Sequence, residues 1–202
     1  MCSKFFISIQ IAVCVKSYFP ELNFVEILIT KTGLHFVMAI TLIDENKVRE
    51  LPDEQRFAIC EKTLKTDTDE SKRWDAVWLV GELAENKNEN DPMFQKVSEL
   101  MEWVLKNDDN GVVKHEAAFQ VAARNMRNKI PALVDTALYN ESVLAKHEAI
   151  EALGLMRAFE AEPLIKQTLK DSSPDVRETA EFVIKRFARL RNQGQYKPGN
   201  IL

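Results

Sequence analysis

The 202-residue chain has only three cysteines, Cys2, Cys14 and Cys60. The number is odd and no Cys-x-x-Cys spacing occurs, so neither a disulfide framework nor a zinc ribbon is indicated. Six glycines and seven prolines are few for a β-rich protein. There is no surplus of positive charge: the net charge is −4 and the pI is near 5.5, without the basic footprint of a nucleic-acid binder. Long hydrophobic runs are also missing. The longest, Phe5 to Val15, contains Ser8 and Gln10 and falls short of the roughly 18 residues of a membrane span. A secretory leader is unsupported as well, since Lys4 is the whole of its basic region and no small-x-small cleavage pattern follows. The expectation is a soluble, cytoplasmic protein with no nucleic-acid or membrane partner.

What the chain does hold is the vocabulary of helices. Ala, Leu, Glu and Lys dominate after residue 40. One phrase occurs twice: Val113-Lys114-His115-Glu116-Ala117-Ala118-Phe119, then Ala145-Lys146-His147-Glu148-Ala149-Ile150-Glu151-Ala152-Leu153-Gly154. The histidines lie 32 residues apart (115 to 147), a period typical of stacked helical hairpins. A wider alignment yields four copies. A basic residue recurs at Arg73, Lys114, Lys146 and Arg177, and an alanine three places on at Ala76, Ala117, Ala149 and Ala180. Small residues at one position let neighbouring helices pack closely, and the basic residue is expected to bond to the adjacent repeat.

Residues 1–37 stand apart from this pattern. Phe5, Ile7, Ile9, Ile11, Val13 and Val15 alternate with Phe6, Ser8, Gln10, Ala12 and Cys14, the period of a strand. Asn23 to Val37 is again β-branched and aromatic, with Gly33 as a turn. Two readings stay open: a hairpin or membrane-surface anchor, or an extension without fixed structure, including a start assigned upstream of Met38. The repeat domain is taken as 38–191, and 192–202, with Gly194, Pro198 and Gly199, as a flexible tail.

Within 38–191 the helix signals follow in order. Asp44 to Leu51 reads as a short helix, and a second starts at Pro52 with Phe57, Cys60 and Leu64 on one side. Glu70 to Glu85 follows a polar Thr-Asp cluster. Asp91-Pro92 opens a helix with the stripe Phe94, Val97, Leu100, Met101, Val104 and Leu105. The two Lys-His-Glu helices are expected to run to about Met126 and from Glu141 to Arg157. Short helices at Pro131 and Pro163 alternate with them, and Ser173-Pro174-Asp175 starts the last. The fold class is all-α, a solenoid of about four helical hairpins.

Between the basic residue and the alanine lie Trp74-Asp75, His115-Glu116, His147-Glu148 and Glu178-Thr179. The scaffold positions repeat four times and His-Glu only twice, so the fold does not demand it. Imidazole with carboxylate suits iron, manganese or zinc, and such sets with open positions suit oxygen-activating Fe(II). Stacked helices lie about 10 Å apart, a gap that His and Glu side chains can bridge. The candidate metal ligands are His115, Glu116, His147 and Glu148. The plain alternative is that both histidines are solvated surface residues. Met126 and Met156 read as ends of apolar faces, Trp74, Trp78 and Trp103 as core or inter-repeat packing, and Cys60 as buried and inert. His35 falls in the N-terminal segment and is set aside.

The repeat resembles the HEAT type first named after phycocyanobilin lyases. Lys114-His115-Glu116, Ile130-Pro131-Ala132-Leu133-Val134, Lys146-His147-Glu148-Ala149, Glu151-Ala152-Leu153-Gly154 and Val176-Arg177-Glu178-Thr179 come in the order and spacing of one half of deoxyhypusine hydroxylase. That family is a HEAT-repeat di-iron monooxygenase acting on a lysine-derived side chain of a translation factor. The resemblance covers about residues 69–190. It implies an iron cofactor, a protein substrate and a metal role for His115, Glu116, His147 and Glu148. The family has four His-Glu motifs in two halves, and this chain has two; where the family usually has a glycine in the first motif helix, this chain has Ala122. Two function classes follow: a metal-dependent oxygenase, completed as a homodimer, or a non-catalytic scaffold that binds a protein partner.

Overall fold

Short polar residues set where the helices begin. The computed structural model describes residues 26–30, 33–37 and 44–191. By contact the chain divides into two compact units, Met1–Asp44 and Glu45–Leu202. In the first, β1 (Glu26–Thr30) and β2 (Gly33–Val37) pair antiparallel, Glu26 opposite Val37 and Thr30 opposite Gly33. Gly33 therefore opens the second strand. The alternation over Phe5 to Val15 and the tail from Asn192 lie outside the described residues.

The described part of the second unit is all helical: α1 (Glu45–Arg49), α2 (Asp53–Thr66), α3 (Glu70–Gly81), α4 (Pro92–Asn107), α5 (Gly111–Ala123), α6 (Ile130–Tyr139), α7 (Val143–Leu155), α8 (Glu162–Ile165) and α9 (Pro174–Leu190). Cap side chains accept the first free backbone N–H groups: Asp69 from Ser71, Asp91 from Met93 and Phe94, Asn110 from Val112 and Val113, Ser142 from Ala145. A second device precedes α3, α5, α7 and α9. Asp67, Asp108, Asn140 and Asp171 each accept the backbone N–H two residues on, at 3.0, 2.8, 3.0 and 2.9 Å. These Asx turns aim all four helices alike.

Successive helices form hairpins, α2 with α3, α4 with α5, α6 with α7, and α8 with its 3-10 extension Lys166–Lys170 against α9. The second helices, α3, α5, α7 and α9, stack in series as one layer, with α2, α4, α6 and α8 behind them. The α4 stripe of Phe94, Val97, Leu100, Met101, Val104 and Leu105 is buried between the layers.

The ends of two helices differ from the sequence expectation by two or three residues. α5 and α7 stop at Ala123 and Leu155 because Asn125 and Arg157 take left-handed φ values of 51° and 50°. The N–H of Met126 then bonds Val121 O, and that of Ala158 bonds Leu153 O, which closes a Schellman cap. The helix expected to reach Glu85 ends at Gly81 and tightens into a 3-10 turn, Glu82–Ala84, before Asn86 at φ 58°.

Small residues set the spacing of the second-helix layer. Ala76, Ala117, Ala149 and Ala180 have no accessible surface. A Cβ on Gly154 would lie 2.9 Å from Val183 Cγ2, and one on Gly81 only 2.2 Å from Gln120 Oε1. Position 8 after the basic residue of one helix thus faces position 6 of the next. The same offset sets Ala122 opposite Ala152, a small partner, which explains why alanine serves there where its equivalents are glycine.

Charge locks the repeats edge to edge. Arg73 on α3 places Nε and Nη2 on the Asp108 carboxylate at 2.8 and 3.1 Å, a second Nη2 bond on Asp109 at 2.6 Å, and Nη1 on Asp67 O. Lys146 repeats the link to Asp171 at 2.6 Å. Arg177, in the last helix, turns back to the carbonyls of Asp171 and Ser172 instead.

Two stability measurements check this layer. Ala149→Leu is expected to overpack the α7 contact and cost about 1–3 kcal/mol in denaturant unfolding. Arg73→Ala strips a buried carboxylate of its partner and is expected to cost about 3–5 kcal/mol. Neutral effects would mean that the helix register differs from the one described.

Candidate metal centre

His115 and His147 occupy the fifth positions of α5 and α7, as counted from Gly111 and Val143. Both helices begin from the same Asx turn and cap, so the two imidazoles emerge at equivalent places one helix apart. Each ring is about a third exposed, while Glu116 and Glu148, one residue on, are buried.

The side chains then meet across the stack. His115 Nε2 lies 3.1 Å from Glu148 Oε2 on the next helix. By the same step, His147 Nδ1 lies 2.7 Å from Thr179 Oγ1 on α9. His147, Glu148 and Glu151 each offer one ligand atom, all within 4.8 Å of one another. His147 Nε2 stands 3.9 Å from Glu151 Oε2, too far for a direct hydrogen bond. Glu116 is nearby but outside this tight group: its Oε1 accepts from Gln120 Nε2 at 2.7 Å.

Of the four residues expected as ligands, His147 and Glu148 therefore fall in this group, His115 joins it through Glu148, and Glu116 stands outside it. Glu151 and Thr179 were missed. Both had a signal. Glu151 is four residues after His147, on the same helix face. Thr179 continues the column of Glu116 and Glu148.

Burial sets the electrostatics. The Glu148 carboxyl is pushed up to about 8, first by burial and then by the charges of Glu151 and Glu116. Burial also raises Glu116, against the opposing Gln120 hydrogen bond. His115 is lowered, by burial first and then by His147. Two buried acids whose ionised forms are disfavoured, beside an imidazole whose protonation is disfavoured, suit a divalent cation: it takes neutral imidazole and carboxylate as ligands and favours the ionised acids. The donor set fits iron, manganese or zinc. Elsewhere on the layer, Trp74, Trp78 and Phe119 stack nearly parallel, with 7° and 9° between planes, across α3 and α5. Cys60 is buried, and burial pushes its thiol up to about 11. Among the described residues no helix is long and apolar enough to cross a membrane.

Residues 97–185 match the HEAT repeats family. Deoxyhypusine hydroxylase of Homo sapiens is 32% identical over 95 residues, covering 46% of this chain and 32% of that protein. The Arabidopsis thaliana enzyme is 34% identical over 92 residues, covering 44% of this chain and 29% of the relative. The solved structure of human deoxyhypusine hydroxylase in complex with glycerol superposes with a TM-score of 0.59 at 24% identity, over 72% of this chain and 48% of that one. The fold is a HEAT-repeat α-solenoid. The chain resembles one half of deoxyhypusine hydroxylase, and its matched segment spans about a third of the length of these curated relatives.

The buried acid generates a pH signature. The folded protein holds the Glu148 proton above the pH at which an unfolded carboxyl releases it, so this group's stabilisation is full below the ordinary carboxyl value of 4.5 and is lost as pH rises towards about 8. In chelator-treated protein, Glu148→Gln is expected to raise Tm at pH 8 and to change it little at pH 5. Thermal melts of both proteins at the two pH values check this, and equal shifts would contradict it.

Proposed function

We propose that the chain is a metal-dependent oxygenase domain in which His115, His147 and Glu148, with Glu151 beside them and Glu116 behind, hold iron. The reaction class is that implied by the resemblance: hydroxylation of a lysine-derived side chain carried by a protein. The observation that carries this reading is the convergence of His147, Glu148 and Glu151 within 4.8 Å, with His115 on Glu148 at 3.1 Å. Iron, when bound, supplies the activation of dioxygen that a monooxygenase requires.

The chain's own residues would do the rest. The imidazoles offer lone pairs from two successive repeats, so the stack positions them before any ligand arrives. Glu148 sets its carboxylate between the two imidazoles, 3.1 Å from His115 Nε2. Glu116, buried and anchored by Gln120, adds negative charge that favours a cationic amine approaching the exposed imidazole edges.

Two His-Glu pairs are half of the family's four. A dinuclear centre therefore needs the second pair from another copy, brought in by a twofold axis that sets the two second-helix layers face to face. Ions that bind only the dimer stabilise it by mass action. His147→Ala is expected to lower iron content and shift the protein towards monomer, whereas Glu178→Ala, exposed on α9, leaves both unchanged. Iron analysis with sedimentation, with and without Fe(II), checks this. A wild type that stays monomeric with iron bound would remove the shared centre and leave a mononuclear one.

A second reading, a non-catalytic scaffold for a protein partner, draws on large apolar side chains exposed on the same layer, Trp74 at 37% and Phe182 at 53%. It expects sub-stoichiometric metal after purification without a chelator or tag.

A further inference from the structure

Resting on that reading, we infer that Thr179 is a positioning residue that selects the tautomer of His147 and thereby turns the Nε2 lone pair towards Glu148 and Glu151. Thr179 Oγ1 has two short contacts, 2.7 Å to the Asp175 carbonyl oxygen one turn back and 2.7 Å to His147 Nδ1. A hydroxyl carries a single hydrogen, and a carbonyl oxygen can only accept. The hydroxyl hydrogen must therefore point at Asp175 O, since otherwise two oxygens would face each other lone pair to lone pair at 2.7 Å. Nδ1 is left as the donor. With the proton on Nδ1, the neutral ring has its lone pair on Nε2, the nitrogen 3.9 Å from Glu151 Oε2 and facing the carboxylate group.

The chain holds this arrangement from both ends. Thr179 is buried on α9, and Gly154 lets α9 approach α7 so closely that a Cβ there would meet Val183. The hydroxyl is brought to the ring by the same packing that builds the stack. The column it continues carries carboxylates at Glu116 and Glu148. A third carboxylate at 179 would have received the same Nδ1 proton and added a further buried negative charge. Threonine orients the ring and stays neutral. The repeat after the site thus supplies no ligand of its own in this column but directs the ligand of the repeat before it, as outer-shell partners of metal-binding histidines do.

The test compares the full chain with Thr179→Val, which keeps the shape and removes the hydroxyl, and with Thr179→Ser, which restores it. The first readout is long-range 1H–15N NMR of the chelator-treated proteins at pH 8, which distinguishes Nδ1–H from Nε2–H at His147. The second is titration with Co(II) as a visible probe. The wild type and Thr179→Ser are expected to show Nδ1–H. Thr179→Val is expected to revert to Nε2–H, the form imidazole favours in water, and to bind Co(II) about 10–100-fold more weakly. A wild type with Nε2–H, or a Thr179→Val protein with unchanged tautomer and affinity, would overturn the assignment. A tautomer that changes as expected in a protein that binds no Co(II) would sustain the role of Thr179 in orienting the ring and overturn the metal reading instead.

Discussion

The close approach of the second helices in each hairpin is the constraint on which the rest of this structure depends. It comes from side chains that are nearly absent: the alanine column at 76, 117, 149 and 180, and Gly81 and Gly154, where even a methyl group would collide with the next helix. Interiors pack at crystal-like density, so one extra carbon would open the helices or twist their register. With the register held, the two histidines in the column after the basic position each reach the next column of the following helix. His115 reaches Glu148 and His147 reaches Thr179 by the same geometric step. The candidate centre is therefore a property of the stack, built from two repeats and braced by a third.

That geometry carries an electrostatic cost. Buried acids at Glu116 and Glu148 with raised proton affinities are not what a repeat needs for stability. In the last repeat the same position holds Thr179, which brings no charge. Stability is supplied elsewhere, along the edge where Arg73 and Lys146 clasp Asp108 and Asp171. Site and clasp lie close in sequence yet answer to different demands. Lys146 and His147 are neighbours, one bonded to the scaffold and the other to the centre.

Much of the fold was legible because helices of this kind carry their own punctuation. Asp91-Pro92 and Ser173-Pro174 mark starts that hold to within a residue. Ends were less legible, since Arg157 adopts a left-handed φ that nothing in its side chain announces. The site was half legible. A column alignment finds His115, His147 and Glu148, because it needs only the repeat period. It also names Glu116, whose Oε1 accepts a hydrogen bond from Gln120 on its own helix. It passes over Thr179 because a threonine in a column of acids looks like the end of a motif. The role of Thr179 depends on a hydroxyl hydrogen already committed to the Asp175 carbonyl, and only atomic positions reveal that.

The central claim is that imidazoles from two successive repeats and the carboxylate of Glu148 bind one metal ion. X-ray absorption at the iron edge, on protein loaded anaerobically with one Fe(II) per chain, tests it most directly. The account predicts a first shell of nitrogen and oxygen, with the outer-shell scattering of two imidazoles per iron, and the loss of one in His115→Ala. Iron surrounded by oxygen alone, or a spectrum unchanged in His115→Ala, would contradict it.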